Sequence, residues 1–214
     1  MTNLRSLLLD EKLPPNTTFE SWLESQNDAV KAVTTEQEGR LYQHPVVEEG
    51  AFVDPTAQLI GGVIVKKGCY IGPFAVVRLD EKPTIEPLVI EEGSNIQDGA
   101  IVHSTTQHIG RRVIVAHQSI VHGAVVEDNV TVYIQAVVDG GGTVIGRGSF
   151  LHQGAYVGKG IRIPENRFLD AGQKVLDQHT ADSLPPVPKQ VREIADHVLE
   201  LNDGHVQRCL MMSR

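Results

Sequence analysis

Three histidines lie among small residues: His103 in AIVHS, then His117 and His122 in AHQSIVHG. Imidazole nitrogens ligate divalent transition metals. Three of them leave a fourth tetrahedral position for water, the arrangement of a catalytic zinc site. Gln97 stands upstream, and its amide can both donate and accept, so it could orient a hydroxide held at such a site. Yet the spacing suits no single regular element. On a helix, at ~3.6 residues per turn, His117 and His122 would sit more than about 100° apart. On one strand they would face opposite sides, roughly 16 Å apart.

The element that positions them shows as a period of six. Val53, Leu59, Val65, Ile71 and Val77 recur at that step, and Ala57, Val63, Cys69 and Ala75 recur four residues after the first four of them. After LDEKPTIEPL the count resumes at Ile90, Ile96 and Val102. It then passes, with small shifts, through Ile109, Val115, Val121, Val126, Val132 and Val138. Beyond Gly140-Gly141-Gly142 it runs from Ile145 through Leu151, Val157, Ile163 and Leu169 to Val175. An antiparallel sandwich would instead alternate with period two and break at Asn-Gly or Asp-Gly hairpins. Asp98-Gly99 and Asp139-Gly140 fall inside the six-residue count. The period predicts a parallel β-helix with three strands per coil, each coil stacked ~4.8 Å above the last.

Composition agrees. Aromatics make up 5% of the 214 residues, which favours thin β structure over a large aromatic core. A net charge of −8 argues against nucleic acid or an anionic membrane as partner. Cys69 and Cys209 lie far apart and are expected as free thiols of a reducing compartment. The opening MTNLRSLLLDEKLPP has too short an apolar run for a secretory or membrane segment, so a cytoplasmic protein is expected. Three segments follow. Residues 1–43 form a polar extension, partly helical, with a capping-box pattern at Thr17-Thr18-Phe19-Glu20. Residues 44–178 form the β-helix domain. Residues 179–214 form a C-terminal helix and tail, with Val191, Ile194, Val198 and Leu201 predicted as its buried stripe.

The count also sorts the polar side chains. Arg78, His103 and His122 are second in hexads that share one side of the triangle, so they should form a column. Gln97 is second, and Asp98 and His117 third, in hexads of another side. His103 and His122, one rung apart, could then share one ion, while His117 of the same chain faces away. A threefold trimer would let His117 of a neighbouring copy complete the set, with three equivalent sites. Arg78 and Asp98 could pair across that interface and set its register. Taken singly, each histidine has a plainer role as a solvated or hydrogen-bonded side chain, and Cys69 falls at an inward position suited to core.

IGPFAVVRLDE, NIQDGAIVHS, AHQSIVHG and IPENRFLDAGQKV together resemble the γ-class carbonic anhydrase family of left-handed β-helix proteins, over roughly residues 45–178. The resemblance implies a left-handed coil, against the usual crossover hand. It implies a homotrimer, carbon dioxide and bicarbonate as substrates, and zinc, with iron or cobalt as variants, held by His103 and His122 of one chain and His117 of the next. By the same resemblance Arg78, Asp80 and Asp98 are structural ion-pair residues. Gln97 lies beside the metal-activated solvent with Asn95 nearby. Glu81 matches a carboxylate linked with catalysis, and Asn202 matches an asparagine of the family's terminal helix. One departure stands out: the family prototype has a long acidic loop between its first two histidines, bearing a proton-shuttling glutamate. Here STTQHIGRRVIVA fills that interval without an acidic residue, leaving Glu81, and secondarily His108, to move the proton.

Two other functions fit the repeat, because a fold hosts many chemistries. A hexapeptide-repeat acyltransferase or coenzyme A thioesterase needs one histidine base and a coenzyme A pocket. A trimeric assembly protein could retain the metal site with little turnover.

Overall fold

The computed structural model describes residues 45–79, 87–103 and 108–212. Asp80, Glu81 and the capping-box pattern of the N-terminal extension lie outside them. Three seven-stranded parallel sheets form the walls of a prism. The first runs from Val46–Val47 to Arg162–Ile163, the second from Phe52–Val53 to Phe168–Leu169, and the third from Gln58–Gly61 to Lys174–Val175. Neighbours within each sheet are three strands apart in sequence, so the chain visits each wall once per coil.

Local chemistry explains the period. The first residue of each hexad points inward, and Val65, Ile71, Val77, Ile90, Ile96, Val102, Val115 and Val121 are all 0% exposed. Burying each such side chain contributes about 1.5–3 kcal/mol. The fifth residue sits at a corner and is mostly small or aliphatic, as at Ala57, Cys69, Ala75, Ala100, Ala136 and Ala155. Where it is serine, its hydroxyl caps a neighbouring carbonyl: Ser94 Oγ donates to Gly110 O at 2.6 Å and Ser119 Oγ to Tyr133 O at 2.7 Å. The fourth residue turns the corner in the left-handed region. Phe74, Arg112, Gln118 and Gln135 hold φ between 53° and 57° there, and glycine fills the position at Gly68, Gly93 and Gly148.

Two helices follow the coil. Helix α1 (Gln178–Asp182) is capped by Asp177, whose side chain accepts from Thr180 N at 2.9 Å. Helix α2 (Lys189–Met212) lies along the outside of the second sheet. Its Ala195 and Leu199 share an apolar cluster with Ile114, Ala116 and Phe150. His205 meets the Tyr70 ring edge-on at 5.0 Å, and Arg192 donates to the Gly148 carbonyl. Of the stripe predicted above, Val191 and Val198 pack against that cluster, while Ile194 and Leu201 do not. The buried residues are Ala195, Leu199, Asn202 and Val206, whereas Ile194 and Leu201 are 51% and 56% exposed. The helix presents its small residue, Ala195, to the crowded Phe150 row and so rotates the bulkier Ile194 outward. Among the described residues no helix is long and apolar enough to cross a membrane.

Candidate metal centre

Strand pairing on the third sheet sets Arg78 opposite His103 and His103 opposite His122, one rung apart each time. The two imidazoles stack with centroids 5.4 Å apart and planes 25° from parallel. Arg78 Nη2 lies 2.9 Å from His103 Nε2. A guanidinium only donates, so this nitrogen accepts and the proton of a neutral His103 ring sits on Nδ1. The rung beyond His122 carries Asp139, whose Oδ1 lies 3.4 Å from His122 Nδ1. The hydrogen bond from Gly140 N–H, followed by that with His122, holds the Asp139 carboxyl below its ordinary range.

The same sheet carries a parallel column two residues upstream. Val76, Ile101, Ile120, Val137 and Tyr156 pair in succession, all pointing out. Ile101 is 37% exposed, the others half-buried, and no described element covers them.

His117 sits elsewhere, past the end of Ile114–Val115 in the second sheet. Its Nδ1 lies 3.7 Å from Asp98 Oδ1, and both side chains are half exposed. Gly72 lets this corner close: a Cβ there would meet Asp98 Oδ1 at 2.8 Å and the Tyr70 ring at 3.0 Å. Burial, then the charge of Asp98, push the Tyr70 hydroxyl up to about 12. Gln97, on the rung below Ala116, donates from Nε2 to Asn95 Oδ1 at 3.0 Å. Asn95 is fully buried, and its Nδ2 has no partner among the described residues. Asn202 lies along α2 between the apolar cluster and Tyr70, 8% exposed, with its own Nδ2 likewise unpaired. A groove of about 210 Å³ opens beside Gln97 and His117, walled by Tyr133, Phe150, Ile194 and Val198.

The structure therefore brings Arg78, His103 and His122 together on one wall. Gln97, Asn95, Asp98 and His117 gather at the edge of another, with Asn202 approaching from the helix. Among the described residues no three metal-donating side chains converge within one chain. The paired imidazoles nevertheless fit a metal: neutral nitrogen donors on consecutive rungs suit zinc, iron or cobalt. Asp139 escaped the sequence reading. It is second in its hexad, as His122 is, and that position was its signal.

Comparison with known proteins agrees with this architecture. Residues 44–78 match the family described as bacterial transferase hexapeptide (six repeats). The carnitine operon protein CaiE of Salmonella agona is 35% identical over 167 residues, covering 76% of each chain. The carbonic anhydrase of Methanosarcina thermophila is 31% identical over 166 residues, covering 67% of this chain and 65% of that protein. The carboxysome assembly protein CcmM of a Nostoc species is 29% identical over 172 residues, covering 74% of this chain. The chain belongs to the γ-carbonic-anhydrase-like family of hexapeptide-repeat β-helices. This γ-carbonic-anhydrase-like chain spans only 30% of the length of CcmM. A Bacillus cereus protein provisionally assigned as an acetyltransferase shares its fold, with a TM-score of 0.67 at 21% identity, covering 78% of this chain and 91% of that one.

Proposed function

We propose that this chain is a γ-class carbonic anhydrase, hydrating carbon dioxide at metal sites shared between the subunits of a homotrimer. The observation that carries the reading is the division of the ligand set. His103 and His122 are stacked on one wall, while His117 and Gln97 lie at the edge of another. A ring of three copies sets unlike faces of neighbouring chains against each other. The uncovered column of Val76, Ile101, Ile120 and Val137, beside the histidines, is the apolar surface such a ring would bury.

His103 and His122 of one copy and His117 of the next would hold zinc, iron or cobalt. The bound metal supplies Lewis acidity that generates hydroxide near neutral pH. Gln97 is aimed by its hydrogen bond to Asn95, so its amide can orient the nucleophile or the product. Buried Asn95 and Asn202 bring further amide donors to that end of the wall. Arg78 would leave His103 Nε2 on metal loading and pair with Asp98 of the neighbouring copy. Asp80 belongs to the same ion-pair set by resemblance. Glu81 is the candidate proton acceptor for delivery to solvent. The net charge and the expected cytoplasmic location leave nucleic acid and membrane outside its partners.

The groove beside His117 supports a second reading, acyl transfer or thioester hydrolysis, because its apolar walls exceed what carbon dioxide requires. The similarity to CcmM supports a third, an assembly protein with a weak site. Stopped-flow hydration on metal-quantified, anaerobically prepared protein separates them. Stoichiometric metal with hydration, both lost in His117→Ala, supports the first. A metal-free chain active on acyl thioesters supports the second, and metal without hydration the third.

A further inference from the structure

Asp139 stands on the rung beyond His122, at the hexad position that gives Arg78, His103 and His122 on the rungs below. We propose that Asp139 is the positioning residue for His122: it accepts the Nδ1–H hydrogen bond and leaves Nε2 as the metal-ligating nitrogen. The inference rests on the metal reading above, but it concerns this chain's own residues.

Three observations carry it. First, the carboxylate is mounted independently of the histidine. Gly140 N–H donates to Oδ1 at 2.7 Å and the Tyr156 hydroxyl donates to Oδ2 at 3.3 Å. The contact of Oδ1 with His122 Nδ1, at 3.4 Å, is long for a hydrogen bond, so this external mounting fixes the carboxylate. Second, Gly140 makes that mounting possible. A Cβ there would stand 2.7 Å from the His122 carbonyl oxygen, so any other residue would force the Asp139 rung away from the His122 rung. Third, the adjacent imidazole is set the same way by a different partner. His103 Nε2 accepts from Arg78, which places the proton of its neutral ring on Nδ1. Two near-parallel rings in one tautomer can offer like nitrogens to one ion; rings in opposite tautomers cannot. A ligating histidine commonly gives its second N–H to a carboxylate, and loss of that partner costs about 10–100-fold in metal affinity.

The test uses the full chain, as wild type and as Asp139→Ala, Asp139→Asn and Tyr156→Phe. Zinc affinity is read by competition with a chromophoric chelator, and the His122 tautomer of the metal-free protein by long-range ¹H–¹⁵N correlation. The expected result is an Nδ1–H tautomer in the wild type. Asp139→Ala then loses roughly 10–100-fold in zinc affinity, with mixed tautomers at His122. Asp139→Asn recovers most of the affinity, since its amide oxygen still accepts, and Tyr156→Phe shows a few-fold loss. Unfolding midpoints and native masses show that each variant compared is folded. An Nε2–H tautomer in the wild type overturns the role without recourse to any variant. So does a folded Asp139→Ala that binds zinc within twofold of wild type, and that result leaves the metal reading intact. A wild-type chain that binds no metal overturns the metal reading and this role together.

Discussion

The second and third walls of the prism share an interior and differ in what lies outside. Both point valine, isoleucine or leucine inward, fully buried above the first rung, where Val53 and Leu59 are only partly covered. Outside the second wall, Ile114 and Phe150 are sealed under α2 with Ala195 and Leu199. Outside the third, Val76, Ile101, Ile120 and Val137 stay partly open beside the histidine column. The repeat thus specifies the coil through two positions per hexad and leaves the outward positions free. One wall uses that freedom for a partner supplied by its own chain. The other carries the histidine column and an apolar surface whose partner is, in our reading, a second copy.

The sharpest way to break the comparison is to charge the open wall. Ile120→Arg replaces a half-buried outward residue and touches no inward one. The chain should keep its β signature and most of its stability. By native mass it should lose the trimer entirely, and stoichiometric metal with it. An Ile120→Arg protein that remains trimeric with full metal would end the proposal that this wall is the interface.

Inside and outside should also differ in thiol chemistry. Burial pushes the Cys69 thiol from its ordinary value of 9.0 to about 12, whereas Cys209 sits partly exposed on α2. The neutral thiol is the form the core accepts. Its contribution to stability is complete below pH 9 and declines as pH rises toward about 12, because the unfolded chain ionises first. A disulfide reagent at pH 8 should therefore modify one thiol per native chain, at Cys209, and the second only on unfolding. Rapid modification of both would contradict the closed interior.

The fold was legible in the sequence because aliphatic inward positions recur along the coil and most fifth residues are small or aliphatic. The histidine column was legible for the same reason: the insertions fall between hexads, so Arg78, His103 and His122 keep their side. What escaped depended on packing rather than period. Asp139 counted only as a member of its hexad until the rung below it placed His122 within reach. The α2 stripe was read correctly at Val191 and Val198 but one residue out at Ile194 and Leu201, which are more apolar than Ala195 and Asn202. Hydrophobicity cannot tell that a small residue must face Phe150. The same rule applies at Asn95, whose burial beneath α2 has no signature in an otherwise ordinary hexad.

Truncation under the helix sharpens the comparison by energy. Leu199 is 4% exposed within the outer cluster, not in the main core. Leu199→Ala should cost about 2–3 kcal/mol in chemical denaturation, at the low end for a buried leucine because a surface helix can settle into the space. A loss of far more would mean that the coil itself depends on α2.

The smallest effect expected concerns a corner. Phe74 occupies the fourth hexad position at φ 57°, with its ring 69% exposed. The rung above has Gly99 at the same place, which offers the ring no side chain to pack on. A left-handed non-glycine residue costs roughly 1–2 kcal/mol, offset in part by the entropy glycine brings to the unfolded chain. Phe74→Gly should therefore stabilise the isolated protomer by about 0.5–1 kcal/mol. The comparison of walls predicts an opposite sign in the assembly. Phe74 turns the corner into the third wall, where an exposed aromatic adds contact area against a second copy. Monomer unfolding and trimer dissociation measured on the same variant should move in opposite directions. If both improve, the exposed ring is a cost of this corner alone, and the open wall must be held by its aliphatic column.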